Sequence, residues 1–527
     1  MPTPKGFARA IIVITVVSAA IMELIDTSIV NVALTDMSGS LGVNIEDVSW
    51  VITAYAIANV IIIPLTGFLG EYFGRKNYYV ASMILFTLAS YMCGQSSTLI
   101  ELIIWRFIQG VGGGALLSTS QAIMFDSFEP HERPMAAGLF GMGIVLGPTL
   151  GPTVGGYIIE HFNWPLIFMI NIPIGIIATI LSISFIEKKP EEGKRKNEIK
   201  IDYLGIVMLM AGIGCLQYVL ERGESEDWFN SEIIRTCAVI AAVGLVSFII
   251  YELNIDQPAV NLRVLANRNL AATTMFTFVA GFGLFTSVFV YPVLAQRVLG
   301  LTAYETGLSL LAPTLAGVVM MPIIGKMMSK GVTPLPFVIV GFSLFSVYAF
   351  LSAGVSPDVG RAAFFIPLLI RAFGISMSQL PLINQAVIGL KPQEYAAGIS
   401  LNNMIRQLGG AFGIAIANNY VAGRYAIHRM NLVSNLDPSN SVVTERVQQL
   451  SASVGQRTGD FATAGQKALT IINASVDRQA YFLSYLDTFR LVGIFFICVI
   501  PFVVFLRVKK KNNQDPNEMM KAAAEAH

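Results

Sequence analysis

Apolar residues run along this chain in long blocks broken by short polar turns, and most blocks approach the roughly 20 residues a helix needs to cross a bilayer. Fourteen blocks are read near residues 9–34, 47–70, 78–95, 99–125, 135–158, 165–186, 202–220, 233–252, 269–291, 304–325, 335–353, 361–388, 395–422 and 481–507. The pattern predicts an all-α integral membrane fold with fourteen transmembrane helices. One interval stands apart, the 58-residue polar insert 423–480 before the last block. Val443, Val447, Leu450 and Val454 recur there at helical spacing, so part of it is expected to form an amphipathic helix.

Lysine and arginine set the orientation. With the N terminus inside, the inner segments hold 21 of them and the short outer segments 4. The long insert adds six, but long loops weigh little in this rule. Both termini are therefore expected in the cytoplasm. The first apolar run continues past signal-peptide length without a small-residue cleavage site, so it reads as a first span.

The chain also repeats itself. PHERPMAAGL (Pro130–Leu139) follows span four, and PQEYAAGI (Pro392–Ile399) follows span twelve. In the preceding spans Gly110 aligns with Gly374, and Gln121-Ala122 with Gln385-Ala386. Two six-helix halves follow, spans 1–6 and 9–14, with spans seven and eight inserted between them. The expected divisions are 1–186, 187–268, 269–422, 423–480 and 481–527. Parallel halves around a midplane site are a transporter architecture.

Composition agrees with this picture. Hydrophobic residues make up 54% and charged residues 13%, and mean hydropathy is +0.64. A soluble domain carries about 25% charged residues. A net charge of +1 gives no reason to expect a nucleic-acid partner. The four cysteines lie in apolar segments without a CxxC pair and read as core thiols. The four histidines are scattered, so no metal site and no cofactor is expected.

Ionisable groups inside spans are costly and functional by default. Glu23 and Asp26 share a face of span one, and Arg106 and Gln109 a face of span four. At about 1.5 Å per residue, Asp26 and Arg106 lie roughly 12 and 10 Å from the outer end of their spans, so they can meet. The pair reads either as a static bond between the spans or as a proton-coupling pair that engages and separates. Asp26 is the favoured carrier, because Glu23 is long enough to turn toward the outer face or a polar cavity. Arg371 and Arg406 lie near the midplane of spans twelve and thirteen, among Gln379, Asn384, Gln385, Asn402, Asn403 and Gln407. Together with Asn31, Gln109 and Gln121 they read as a substrate-cavity wall, or as hydrogen bonds between helices.

Span five contains LGPTLGPTVGG (Leu146–Gly156). Pro148 and Pro152 each remove a backbone donor, while Gly147, Gly151, Gly155 and Gly156 strip one face for close helix approach. This string resembles the fifth-helix antiporter motif of the major facilitator superfamily. LIDTSIVNVAL (Leu24–Leu34), RFIQGVGGG (Arg106–Gly114), NWPLIFMINIPIG (Asn163–Gly175) and RQLGGAFGIAI (Arg406–Ile416) are similar to further motifs of its fourteen-span EmrB/QacA-type drug:proton antiporters. GFLGEYFGRK (Gly67–Lys76) looks like the superfamily's loop between helices two and three, with Glu71 where aspartate is usual. Gly67, Glu71, Gly74 and Arg75 thereby become gating candidates. The long insert is most similar to that of EmrB-type pumps.

The resemblance implies a proton-driven exporter of amphipathic drugs in a bacterial inner membrane. It also implies partnership with an EmrA-like periplasmic adaptor and an outer-membrane channel, for which the insert is either the docking surface or a solvated loop. No GxxxxGK[ST] string occurs, and no catalytic constellation is visible, so neither ATP hydrolysis nor enzyme activity is expected. A dedicated exporter of one endogenous metabolite, such as a siderophore or peptide, stays open. So do an importer and a membrane sensor.

Overall fold

The computed structural model describes residues 6–188, 201–356, 361–437 and 439–506. Of the cations assigned inward, Lys5, Lys189, Lys194, Arg195, Lys196, Lys200, Arg507, Lys509, Lys510, Lys511 and Lys521 lie outside the described residues.

The long helices are α1 (Phe7–Leu41), α2 (Trp50–Phe73), α3 (Arg75–Gln95), α4 (Leu99–Asp126), α5 (Arg133–His161), α6 (Asn171–Phe185), α7 (Tyr203–Arg222), α8 (Glu232–Asn254), α9 (Arg268–Arg297), α10 (Ala303–Ser329), α11 (Pro334–Ala353), α12 (Phe365–Gln385), α13 (Tyr395–Ser434), α14 (Ser441–Thr458) and α15 (Ala464–Val499). All but α14 coincide with a predicted span. Twelve of the fourteen spans are long and apolar enough by themselves to cross a membrane. The exceptions are α3, which opens on Arg75, Lys76 and Asn77, and α13, which carries Asn402, Asn403, Arg406 and Gln407.

The packing repeats with the sequence. In the first half α1 packs on α5, α2 and α3 on α4, and α6 on α3. In the second, α9 packs on α13, α10 and α11 on α12, and α15 on α11. Shifting each helix of the first half to its counterpart in the second converts one set of pairs into the other. The halves meet along two seams, α5 against α10 and α2 against α13, which the same shift interchanges. The inserted α7 and α8 pack on each other, with α7 also touching α2 and α13. Val239, Val243, Val246 and Ile250 of α8 are exposed, as an apolar helix facing lipid would be.

The polar insert is largely helical. Helix α13 continues to Ser434 and α15 already begins at Ala464, with α14 between them. The stripe Val443, Val447, Leu450 and Val454 is half-buried on α14, which packs against α15. The Asn440 side chain caps α14 by accepting from the Val442 amide at 3.0 Å. Arg424 and His428 of α13 bond Asp487 of α15 at 2.6 and 2.8 Å, and Arg429 bonds Asp477 at 2.8 Å, so the helical extensions are pinned together.

The cysteines are free, but only Cys93 is buried. Cys215 and Cys237 are half-buried and Cys498 is exposed, which corrects their reading as core thiols. An apolar thiol suits a lipid-facing surface as well as a core, so hydropathy did not separate the two.

Candidate functional site

The site is built where α1 crosses α2, α4 and α6. Asp26 is fully buried and Arg106 is 1% exposed. Arg106 Nη1 donates to Asp26 Oδ2 at 2.6 Å and to Gln109 Oε1 at 2.7 Å, while its Nε donates to the Val51 carbonyl at 3.2 Å. The other carboxylate oxygen accepts from Gln109 Nε2 and from Asn171 Nδ2, both at 2.8 Å. Ser90 Oγ accepts from the same two amides, at 2.6 and 3.3 Å. The guanidinium lies 4.2 Å from the Tyr55 ring centroid and 5.5 Å from that of Phe168. A charge pair taken out of water persists only when its remaining donors and acceptors are also satisfied, and here four helices contribute to that.

Glu23 lies one turn earlier on α1 and is held differently. It is 3% exposed, so it does not turn out to the surface. Its Oε1 accepts from Asn59 Nδ2 at 3.0 Å and from Tyr55 Oη at 3.3 Å, both on α2. Its Oε2 has no partner, and among the described residues no cation is in ion-pair contact with it. The cation acting on it electrostatically is Arg406, across the seam on α13. Arg406 is 2% exposed, and its Nε and Nη1 have no partner.

The remaining candidates divide. Asn403 Nδ2 bridges the seam to Ser118 Oγ at 3.2 Å and Gln121 Oε1 at 3.0 Å. Gln379, Asn384, Gln385 and Asn402 are buried, with Gln379 Nε2, Gln385 Oε1 and Asn402 Oδ1 unpartnered. Arg371 lies apart from Arg406, bonded to Ser287 of α9 at 3.2 Å. Asn31 is exposed and donates to the Ser28 carbonyl of its own helix, so it does not join the polar network. Sequence reasoning missed Tyr55, Asn59, Ser90 and Asn171. The signal for two of them was present, since Tyr55 and Asn59 are polar groups one turn apart within an apolar run.

Small residues set the helix spacing. Gly147, Gly151 and Gly155 pack against Leu24, Ser28 and Ile29 of α1, and Gly156 packs against the backbone at Ala303 and Tyr304 of α10. Pro148 and Pro152 lie inside α5, where Thr149 and Thr153 hydroxyls bond back to the carbonyls of Val145 and Thr149. At the end of the bundle carrying the α2–α3 turn, Gly67 lies against the Ala397 backbone. Arg133 bonds Tyr395 Oη there at 2.9 Å. Gly74 turns the chain with φ +82°, a conformation open to glycine, and Arg75 pairs with Asp126. Glu71 is exposed nearby.

Residues 16–414 match the Major Facilitator Superfamily. The chain is 31% identical over 506 residues to the multidrug export protein EmrB of Escherichia coli (strain K12), covering 95% of this chain and 96% of that one. It is 32% identical over 505 residues to the fatty acid resistance protein FarB of Neisseria gonorrhoeae, covering 95% and 97%. Among solved structures it is similar in fold to the human organic anion transporter MFSD10, with a TM-score of 0.56 at 15% identity over 93% of this chain and 99% of that one.

Proposed function

The chain belongs to the Major Facilitator Superfamily as an EmrB-type multi-pass membrane transporter rather than an enzyme, and from that premise we propose that it exports amphipathic and hydrophobic compounds, drugs among them, in exchange for protons. It lies in a bacterial inner membrane with both termini in the cytoplasm. The α14 hairpin then faces the periplasm, where an EmrA-like adaptor and an outer-membrane channel would carry cargo onward.

The observation that carries the coupling is Glu23. It is a buried carboxyl with amide and phenol donors on one oxygen and, among the described residues, no partner on the other and no cation in contact. An unpaired buried charge is expensive, so proton uptake from the outer side relieves a real cost. Movement of α13 toward α1 brings Arg406 closer, which favours the charged form and releases the proton inward. Asp26 and Arg106 are the fixed partners in this scheme. Their bonds to Gln109, Asn171 and the Val51 carbonyl hold α1 against α4 while Glu23 changes charge. Antiport then requires cargo and proton to oppose one another's binding, which is a reciprocal coupling. One charge falling through 100 mV yields about 2.3 kcal/mol, enough for roughly a 50-fold solute gradient. The α5 glycines and prolines support alternating access, because they let α5 pack closely on α1 and α10 at once.

The test is drug-induced proton release in inside-out vesicles. Wild type should release protons from the acidified lumen on drug addition, and Glu23→Gln should not. A full response in Glu23→Gln overturns the assignment. A second reading is a dedicated exporter of one endogenous metabolite. Absence of any drug response in wild type, with competition by a native metabolite, would establish it instead.

A further inference from the structure

The two halves treat their buried arginines differently. In the first half Arg106 on α4 meets Asp26 on α1. In the second half the corresponding helices are α12 and α9, and Arg371 on α12 meets Ser287 of α9 instead of an acid. Arg371 is 2% exposed, its Nε has no partner, and among the described residues no carboxylate is in ion-pair contact with it. The phenols nearest it in this half are those of Tyr348 on α11 and Tyr291 on α9, neutral groups that bring no negative charge. Tyr348 is buried beside Ser352, and apart from each other the two hydroxyls have no hydrogen-bond partner among the described residues. Tyr291 Oη shares a hydrogen bond with Ser309 of α10 at 2.8 Å.

We propose that Arg371, with the hydroxyls of Ser287, Tyr348 and Ser352, forms a binding site for a monovalent inorganic anion of chloride size inside the second half. A guanidinium stays charged and cannot relieve its burial by losing a proton. Buried charges are otherwise paired. Here the surroundings are hydroxyls, which rotate to donate, and a free Nε–H, which donates already. Together they supply donors and a positive charge but no negative one. Water would satisfy the donors without balancing the charge. Aromatic rings close the cluster, with Phe364 at 5.4 Å from the Tyr291 ring and Phe489 at 5.9 Å from the Tyr348 ring, which favours a compact ion over an organic acid. All these groups belong to α9–α12 and α15 or the turn before α12, so the site is separate from the seam across which Arg406 acts on Glu23.

The test uses the purified full-length protein in sodium gluconate, with thermal unfolding followed as chloride or bromide is added. A saturable rise in Tm is expected with either halide and not with sulfate at matched ionic strength. Arg371→Gln should abolish the rise. Ser287→Ala and Tyr348→Phe should move its midpoint to about tenfold higher halide, as expected for losing one hydrogen bond to a charged group. These two milder variants decide the matter if Arg371→Gln does not fold. Identical Tm values in all salts overturn the proposal, as does a halide response unchanged in the variants. A rise with dodecanoate but not with halide, lost in the same variants, also overturns it and makes Arg371 a cargo site.

Discussion

Asp26 Oδ2 accepts a 2.6 Å hydrogen bond from Arg106 Nη1 with neither side chain more than 1% exposed, so these two residues form a fully desolvated ion pair between α1 and α4. Glu23, one turn away on the same helix, has no such partner among the described residues. Two carboxyls three residues apart thus occupy opposite electrostatic situations, and they should respond differently to neutralisation.

Asp26→Asn leaves Arg106 as an uncompensated buried charge. We expect a loss of about 3–5 kcal/mol in stability. Adding Arg106→Gln should recover most of it, since the second change removes the orphaned charge. Thermal unfolding of the two single variants and the double variant measures the coupling.

Glu23→Gln should behave otherwise. The amide keeps an oxygen for Asn59 and Tyr55 to donate to, and no contact ion pair is broken, since Arg406 acts on Glu23 only from across the seam. We expect stability within about 1 kcal/mol of wild type, with drug-induced proton movement abolished. Tm and vesicle proton flux on the same preparation give both readouts.

The α5–α10 seam predicts a contrast between two glycines. A Cβ on Gly156 would stand 2.5 Å from the Tyr304 amide nitrogen and 2.8 Å from the Ala303 carbonyl carbon, both backbone atoms that cannot swing aside. Gly156→Ala should cost about 1–3 kcal/mol and reduce transport. At Gly70 a Cβ meets nothing within 4 Å, so Gly70→Ala should leave transport near wild type. Tm and vesicle flux for both variants check the pair.

The turn into α15 should be acid-sensitive in a defined window. Hydrogen bonds from the Thr463 hydroxyl and amide, and from Lys467, lower the Asp460 carboxyl from its ordinary 3.8 to about 2. A lowered value means the stabilisation is present above pH 3.8 and is lost as pH falls through about 2. Protection of the Ala462 and Thr463 amides, which donate to Asp460, should therefore fall relative to their intrinsic exchange rates on acidification through that window. In Asp460→Asn the dependence should disappear.

Much of this molecule is determined by its sequence alone. Apolar block length sets the number of spans, since a bilayer demands about 20 residues of helix. Rise per residue places Asp26 and Arg106 at one depth, and i, i+3/i+4 spacing marks the half-buried stripe of α14. The glycines of Leu146–Gly156 announce a close helix approach. What these patterns lack is azimuth, the rotation of each helix about its own axis relative to its neighbours. Only the tertiary structure decided that Glu23 faces Asn59 and Tyr55 while Asp26 faces Gln109 and Asn171, that Asn31 turns away, and that Arg371 and Arg406 belong to different clusters. Depth is a one-helix property and can be counted along the chain. Which side chains meet depends on how many helices pack at once, and no single helix encodes that.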